Sequence, residues 1–247
     1  MSKWISSDDE KSRSLHDAIR KGDLEAVIRM LGEGASKEAL NFRGQSPLLA
    51  AVEKGLLEIV QYLVDKGADK EKADNGGCTP IFDAAYYGNL EVAQYLVAQG
   101  ADKDKASDDG YTPLNIAAAY GHLDVVEFLL EQGVDRDNQD NHGDTPLHMA
   151  ASCGYLEVTK ALMRYGANLD ARNDKGELPI DVAKKEEIKR AILDEPRRRN
   201  DHTYKRIREE DLQPAKKQEG EGEEGAVEEE EEDESEDDES EDDEDED

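Results

Sequence analysis

Between residues 41 and 172, apolar positions fall into two kinds of short run that alternate along the chain. The first kind is small. Ala84-Ala85, Ala117-Ala118 and Ala150-Ala151 each follow a few residues after a hydroxyl–proline pair, at Thr79-Pro80, Thr112-Pro113 and Thr145-Pro146. The hydroxyl can accept a hydrogen bond from the first free amides of a helix. Proline at the first helical position loses only an N–H that has no partner there. Small side chains on the helix allow a neighbouring helix to come close. The second kind has helical spacing, as in Leu90, Ala93, Leu96 and Val97, and again in Leu123, Val126, Leu129 and Leu130. Between the two stands a glycine, at 55, 88, 121 or 154, able to end the first helix at positive φ. The pattern predicts pairs of short helices joined by tight turns.

The pairs recur with a fixed step. Glycines stand at Gly44, Gly77, Gly110, Gly143 and Gly176, and prolines at Pro47, Pro80, Pro113, Pro146 and Pro179. Further glycine series run from Gly22 to Gly154 and from Gly34 to Gly166, and every step is 33 residues. A unit of this size cannot bury its own apolar face, so stacked copies must share one core.

The run Gly143-Asp144-Thr145-Pro146-Leu147-His148-Met149-Ala150 resembles the ankyrin family's Gly-x-Thr-Pro-Leu-His-x-Ala. Gly-His-Leu-Asp-Val-Val at 121–126 and Gly-Ala-Asp at 100–102 are similar to the second half of its repeat. The resemblance covers about residues 8–195 and implies an all-α ankyrin-repeat solenoid of helix–turn–helix–β-turn units, followed by a disordered tail. Four full repeats are expected over 41–172, starting near Asn41, Asp74, Ser107 and Asp140. Residues 12–40 are expected to form an N-terminal capping repeat, with Leu15-His16-Asp17-Ala18 in place of Pro-Leu-His and a polar outer face at Arg13, Arg20, Lys21 and Arg29. Residues 173–195 are expected to form the C-terminal cap, with a charged helix over Asp181–Leu193 that turns Val182, Ile188 and Ile192 inward and stops at Pro196. Residues 1–11 are expected to be disordered.

Charge divides the remainder. The net charge is −31, and residues 219–247 supply 22 Asp or Glu with no Lys or Arg, leaving −9 for residues 1–218. Like charge at that density repels itself and cannot build a core, so disorder is expected over 219–247. Residues 196–218 form a basic linker, with clusters at Arg197-Arg198-Arg199, Lys205-Arg206 and Lys216-Lys217. The linker reads as a solvated connection or as a two-part nuclear import signal. The acidic tail has three readings: a solubilising tail, an electrostatic contact for a basic partner, or a segment that folds back on the linker. Ser235 and Ser240 are each followed by acidic residues and fit phosphorylation by an acid-directed serine kinase. The start of the chain is polar, without the apolar stretch of a secretory signal, and no run reaches the roughly 18 apolar residues that span a bilayer. Cys78 and Cys153 are then expected as free thiols in a reducing, cytoplasmic or nuclear compartment.

Catalysis is not expected. His16 and His148 occupy the ankyrin Pro-Leu-His position and His122 the Gly-His position, where the resemblance implies structural hydrogen bonds. No metal spacing, phosphate-cradling loop or paired nucleophile and base is visible, and no cofactor is expected. The resemblance implies protein binding through the turn tips and the exposed face of the first helices. On this chain those positions include Phe42, Arg43, Tyr86, Tyr87, Asp108, Asp109, Tyr111, Tyr120 and Asp144. Tyrosine offers large contact area at low entropic cost, and a carboxylate rim suits a partner segment that is basic, or mixed basic and apolar. The alternative is that these tyrosines only pack across the tips. Alanine at Tyr86 and Tyr120 is expected to leave folding intact. Nucleic acid is disfavoured by the net charge, and the chain is expected to be monomeric and not to engage a membrane. Three roles follow: an adaptor, an escort for a basic protein such as a histone or ribosomal protein, and an inhibitory subunit of an enzyme.

Overall fold

The computed structural model describes residues 7–195. Among these are eleven α-helices and no strand. α1 (Ser7–Lys21), α3 (Pro47–Glu53), α5 (Pro80–Tyr87), α7 (Pro113–Tyr120) and α9 (Pro146–Cys153) pack side by side as one layer. α2 (Leu24–Gly32), α4 (Leu57–Asp65), α6 (Leu90–Ala98), α8 (Leu123–Glu131) and α10 (Leu156–Arg164) form the second layer, which α11 (Glu186–Leu193) continues beyond α10. The core is the seam between the layers. Ala84, Ala85, Ala117, Ala118, Ala150 and Ala151 are buried where first helices meet. Val92, Leu96, Val125, Leu129, Val158 and Leu162 close the seam from the second layer.

The expected caps are present. Ser46, Thr79, Thr112 and Thr145 accept hydrogen bonds from the amides of Leu49, Phe82, Asn115 and His148. Between repeats, a further device recurs every 33 residues. Asn41, Asp74, Asp140 and Asn173 each accept two amides of their own turn, from the residues two and four ahead, at 2.8–3.1 Å. These closures by an Asn or Asp side chain fix the turn tips without a strand. The third repeat has Ser107 there, and its shorter side chain leaves the hydroxyl buried with no partner. Ser107→Asn restores the arm that Asn41 and Asn173 use. It is expected to raise unfolding free energy by about 1 kcal/mol in urea titration.

Neighbouring repeats are joined by polar ladders as well as by the core. The side chains of Glu38, Glu71, Asp104 and Asp137 accept the amides of Asp69, Asp102, Asp135 and Asn168 in the following repeat, at 2.7–3.2 Å. At the tips, the amides of Asp108, Asn141 and Asp174 donate to the carbonyls of Gly76, Asp109 and His142.

Both ends depart from the sequence expectation. α1 begins at Ser7, ahead of the boundary placed at 12. Asp181–Leu193 is not one helix. Residues 179–182 form turns, and α11 starts at Glu186 after Lys185 adopts an extended backbone. Two contacts account for the break. The Asp181 carboxylate takes the amide of Leu178, and Lys185 Nζ donates to the carbonyl of Gly154 at 2.8 Å, ending α9. Asn89 and His122 do the same work in earlier repeats, on the carbonyls of Val52 and Tyr86. Ile188 and Ile192 are buried as expected, while Val182 is only half-buried. Pro196, the basic linker, the acidic tail, Ser235 and Ser240 lie outside the described residues, as do residues 1–6.

Candidate protein-binding surface

Close packing of α5 on α7 sets the geometry of the tyrosines. Tyr86 and Tyr87 end α5 and Tyr120 ends α7, so the alanine contact along the two helices brings their last turns together. The rings of Tyr86 and Tyr120 are 4.4 Å apart, and the Tyr120 hydroxyl donates to that of Tyr86 at 3.1 Å. Tyr87 meets Tyr86 edge-on at 4.8 Å. His122 lies parallel to Tyr120, and its Nε2 sits 3.0 Å from the Tyr86 carbonyl. Tyr87 and Tyr120 remain 38% and 45% exposed, which makes the cluster an accessible aromatic surface. The hydrogen bond to Tyr86, followed by burial, pushes the Tyr120 hydroxyl up to about 12, so it stays neutral in physiological buffer.

Tyr86 is half-buried and packs on the core. Alanine there therefore removes core contacts, contrary to the expectation that both substitutions leave folding untouched; Tyr120 is the cleaner surface probe. Tyr111 is also half-buried on the core and is not part of the cluster. Burial, then the nearby carboxylates of Asp140 and Asp109, raise its pKa. Asp108 and Asp109 are exposed at the tips. Asp144 accepts a hydrogen bond from Asn173 Nδ2 at 2.9 Å, so it is engaged within the stack. Phe42 stands 96% exposed, with Leu40 at 52%, over a groove of about 790 Å³ that Arg13, His16, Arg20 and Lys54 help to line. Arg43 turns towards Glu53, with its Nη1 3.1 Å from the carboxylate, and the Tyr87 hydroxyl lies beside it.

Sequence reasoning passed over the carboxyl groups beneath this surface. Asp83, in α5, is buried, and burial followed by the charges of Asp74 and Glu53 pushes its pKa up to about 7. The readable signal was its register: Ala50, Ile116 and Met149 hold the same position in the sister repeats. Cys78 lies close by. Burial, then Asp74 and Asp83, push its thiol up to about 12, which keeps it out of the reactive thiolate form.

His148 and His16 hold hydrogen bonds within the stack. His148 Nδ1 caps α9 by accepting from the Thr145 amide, and its Nε2 sits 3.0 Å from the Glu177 carbonyl. His16 Nε2 sits 2.8 Å from the Ala39 carbonyl, and burial lowers its pKa. Among the described residues, no group of three or more His, Cys, Asp or Glu side chains is placed to hold a metal ion. No helix among them is long and apolar enough to cross a membrane.

Two layers of short helices, stacked in one direction and closed by side-chain turn locks, define a helical repeat solenoid. A family model described as ankyrin repeats (three copies) matches residues 15–107 and 99–173. The match spans well over half of the chain, and the protein belongs to the ankyrin-repeat family. Repeats of this family are generally protein-interaction modules. No curated protein matches the chain.

Proposed function

We propose that the protein is a non-enzymatic adaptor that takes a basic, or mixed basic and apolar, segment of a partner protein against the central repeats. The observation that carries this reading is the Tyr86–Tyr87–Tyr120 cluster. It joins two adjacent repeats, remains exposed, and has Arg43 and the carboxylates of Glu53 and Asp83 beside it. Exposed aromatic rings of this kind supply binding energy with few rotamers to freeze.

A second reading, an escort for a basic protein, draws on one further observation: 22 Asp or Glu in residues 219–247. A polyanion tethered to a binding stack would add long-range attraction that salt screens over about 10 Å at 0.1 M. Capture from cell extract separates the two readings. The bait is the full chain, the Tyr120→Ala chain, and the chain lacking 219–247, each at low and high salt. The adaptor reading expects the same prey with and without the tail, and its loss with Tyr120→Ala. Prey that depends on the tail and disappears at high salt favours the escort.

A further inference from the structure

Four side chains share one register in the first helices: Ala50 in α3, Asp83 in α5, Ile116 in α7 and Met149 in α9. Three are apolar. Asp83 is as buried as Ile116, each 8% exposed, yet carries a carboxyl. Among the described residues, none donates a hydrogen bond to that carboxyl; burial and the surrounding charges are what act on it. The nearest cation, Arg43, gives its hydrogen bonds to Glu53 at 3.1 and 3.3 Å. Gln45 Nε2 donates to the same Glu53 carboxylate at 3.0 Å. The charges that act on Asp83 besides Arg43 are both negative, from Asp74 and Glu53. The fold thus holds an acid at a position where its own sister repeats use an apolar residue, and gives its carboxyl no hydrogen-bond donor.

A buried polar group without a partner is destabilising, and such groups are retained where a ligand supplies what is missing. We propose that Asp83 is the anchor for one lysine or arginine side chain of the docked segment, a conclusion that rests on the adaptor reading above. The cation supplies the donor that Asp83 lacks. It also draws on the Asp74 and Glu53 carboxylates, whose mutual repulsion with Asp83 is then relieved. Tyr87, one turn further along α5 and in electrostatic contact with Asp83, offers its ring to the aliphatic stem of the incoming side chain. Much of the desolvation of the carboxylate has already taken place in the free protein, so less remains to oppose binding.

The test uses the full chain and two synthetic probes. One is the pentapeptide acetyl-Ala-Leu-Arg-Leu-Ala-amide, and the other carries citrulline, the neutral isostere, in place of arginine. Affinities are measured by calorimetry at fixed low salt, and melting temperature is recorded for each variant. Asp83→Met, which copies the fourth repeat, is expected to raise the melting temperature. It should weaken the arginine peptide at least about tenfold, and Asp83→Asn should do likewise. The citrulline peptide should bind wild type as weakly as the arginine peptide binds Asp83→Met. Glu91→Gln, an exposed carboxylate on the other layer, should change neither affinity, which separates a site from general attraction to an acidic protein. Unchanged affinity of the arginine peptide in Asp83→Met, failure of that peptide to bind wild type, or a lower melting temperature overturns the proposal. Tyr120→Ala in the same assay keeps the two readings apart. If Tyr120→Ala weakens the peptide and Asp83→Met does not, the surface stands and the anchor falls; if neither does, both fall.

Discussion

Replacing Gly110 by alanine is expected to destabilise the stack by about 2–4 kcal/mol, while the same change at Gly100 should remove only about 1 kcal/mol. The two glycines have nearly the same backbone, with φ of +82° and +78°. Each therefore incurs the strain of an L-residue in the left-handed region. What differs is space. A Cβ at Gly100 meets nothing within 4 Å. At Gly110 it would lie 2.5 Å from Asn141 Oδ1 and 2.8 Å from the Asn141 backbone nitrogen. Backbone cannot rotate aside, and this is where the Asn141 amide donates to the Asp109 carbonyl across the repeat junction. The damage falls on the coupling between the third and fourth repeats. In a stack stabilised through its nearest neighbours, that should also split or broaden the unfolding transition. Urea titrations followed by circular dichroism compare the two variants directly. Equal losses would mean that the tip contact contributes nothing.

The second large effect is on pH dependence. Asp83 has an ordinary carboxyl pKa near 3.8 when unfolded and about 7 when folded. Below pH 4 both states hold the proton and the group is neutral to stability. Between pH 4 and 7 the folded state keeps a proton that the unfolded state has released, so stability falls as pH rises through that window. Above pH 7 the loss is complete, on the order of 4 kcal/mol as an upper bound at 1.36 kcal/mol per unit. The groups facing Asp83 are Glu53 and Arg43 from the preceding repeat, Asp74 and Cys78 from the tip before α5, and Tyr87 from α5 itself. All of them remain in Asp83→Met, so the difference between wild type and that variant isolates the one carboxyl. The variant should be more stable at pH 7.5 and indistinguishable at pH 3.5. A difference that does not change with pH would show that Asp83 titrates normally.

These effects also show where the sequence was legible. The first and second helices, their hydroxyl caps and the glycine ends could be read because each depends on a local residue type at a fixed offset. Thr145, Pro146 and Gly154 carry that information within ten residues. The C-terminal end misled because the break before α11 depends on a distant partner, the Gly154 carbonyl taken by Lys185. The carboxylate ladder through Glu38, Glu71, Asp104 and Asp137 has the same 33-residue step as the glycines. It passed unnoticed because acidic residues in polar turns look like solvated charge until their acceptor role across the junction is seen. The tyrosines were found by residue type and position, but their division was not. Tyr86, Tyr87 and Tyr120 converge through the α5–α7 contact, whereas Tyr111 faces the core and Asp140. Asp83 was hidden for a related reason. Its neighbours come from three segments that only stacking brings together, and a single Asp in a short helix is unremarkable until its register is compared with Ile116 and Met149.

The central claim is that the exposed aromatic surface of α5 and α7 captures a basic segment of a partner protein. Its most direct measurement is the affinity of a purified, captured partner for the full chain and for Tyr120→Ala, by calorimetry at matched salt. Circular dichroism should show the two proteins equally folded at the working temperature. Tyr120→Ala is expected to weaken binding by at least tenfold, or about 1.4 kcal/mol, as for a hot-spot tyrosine. Equal affinities, with both proteins folded, would contradict it.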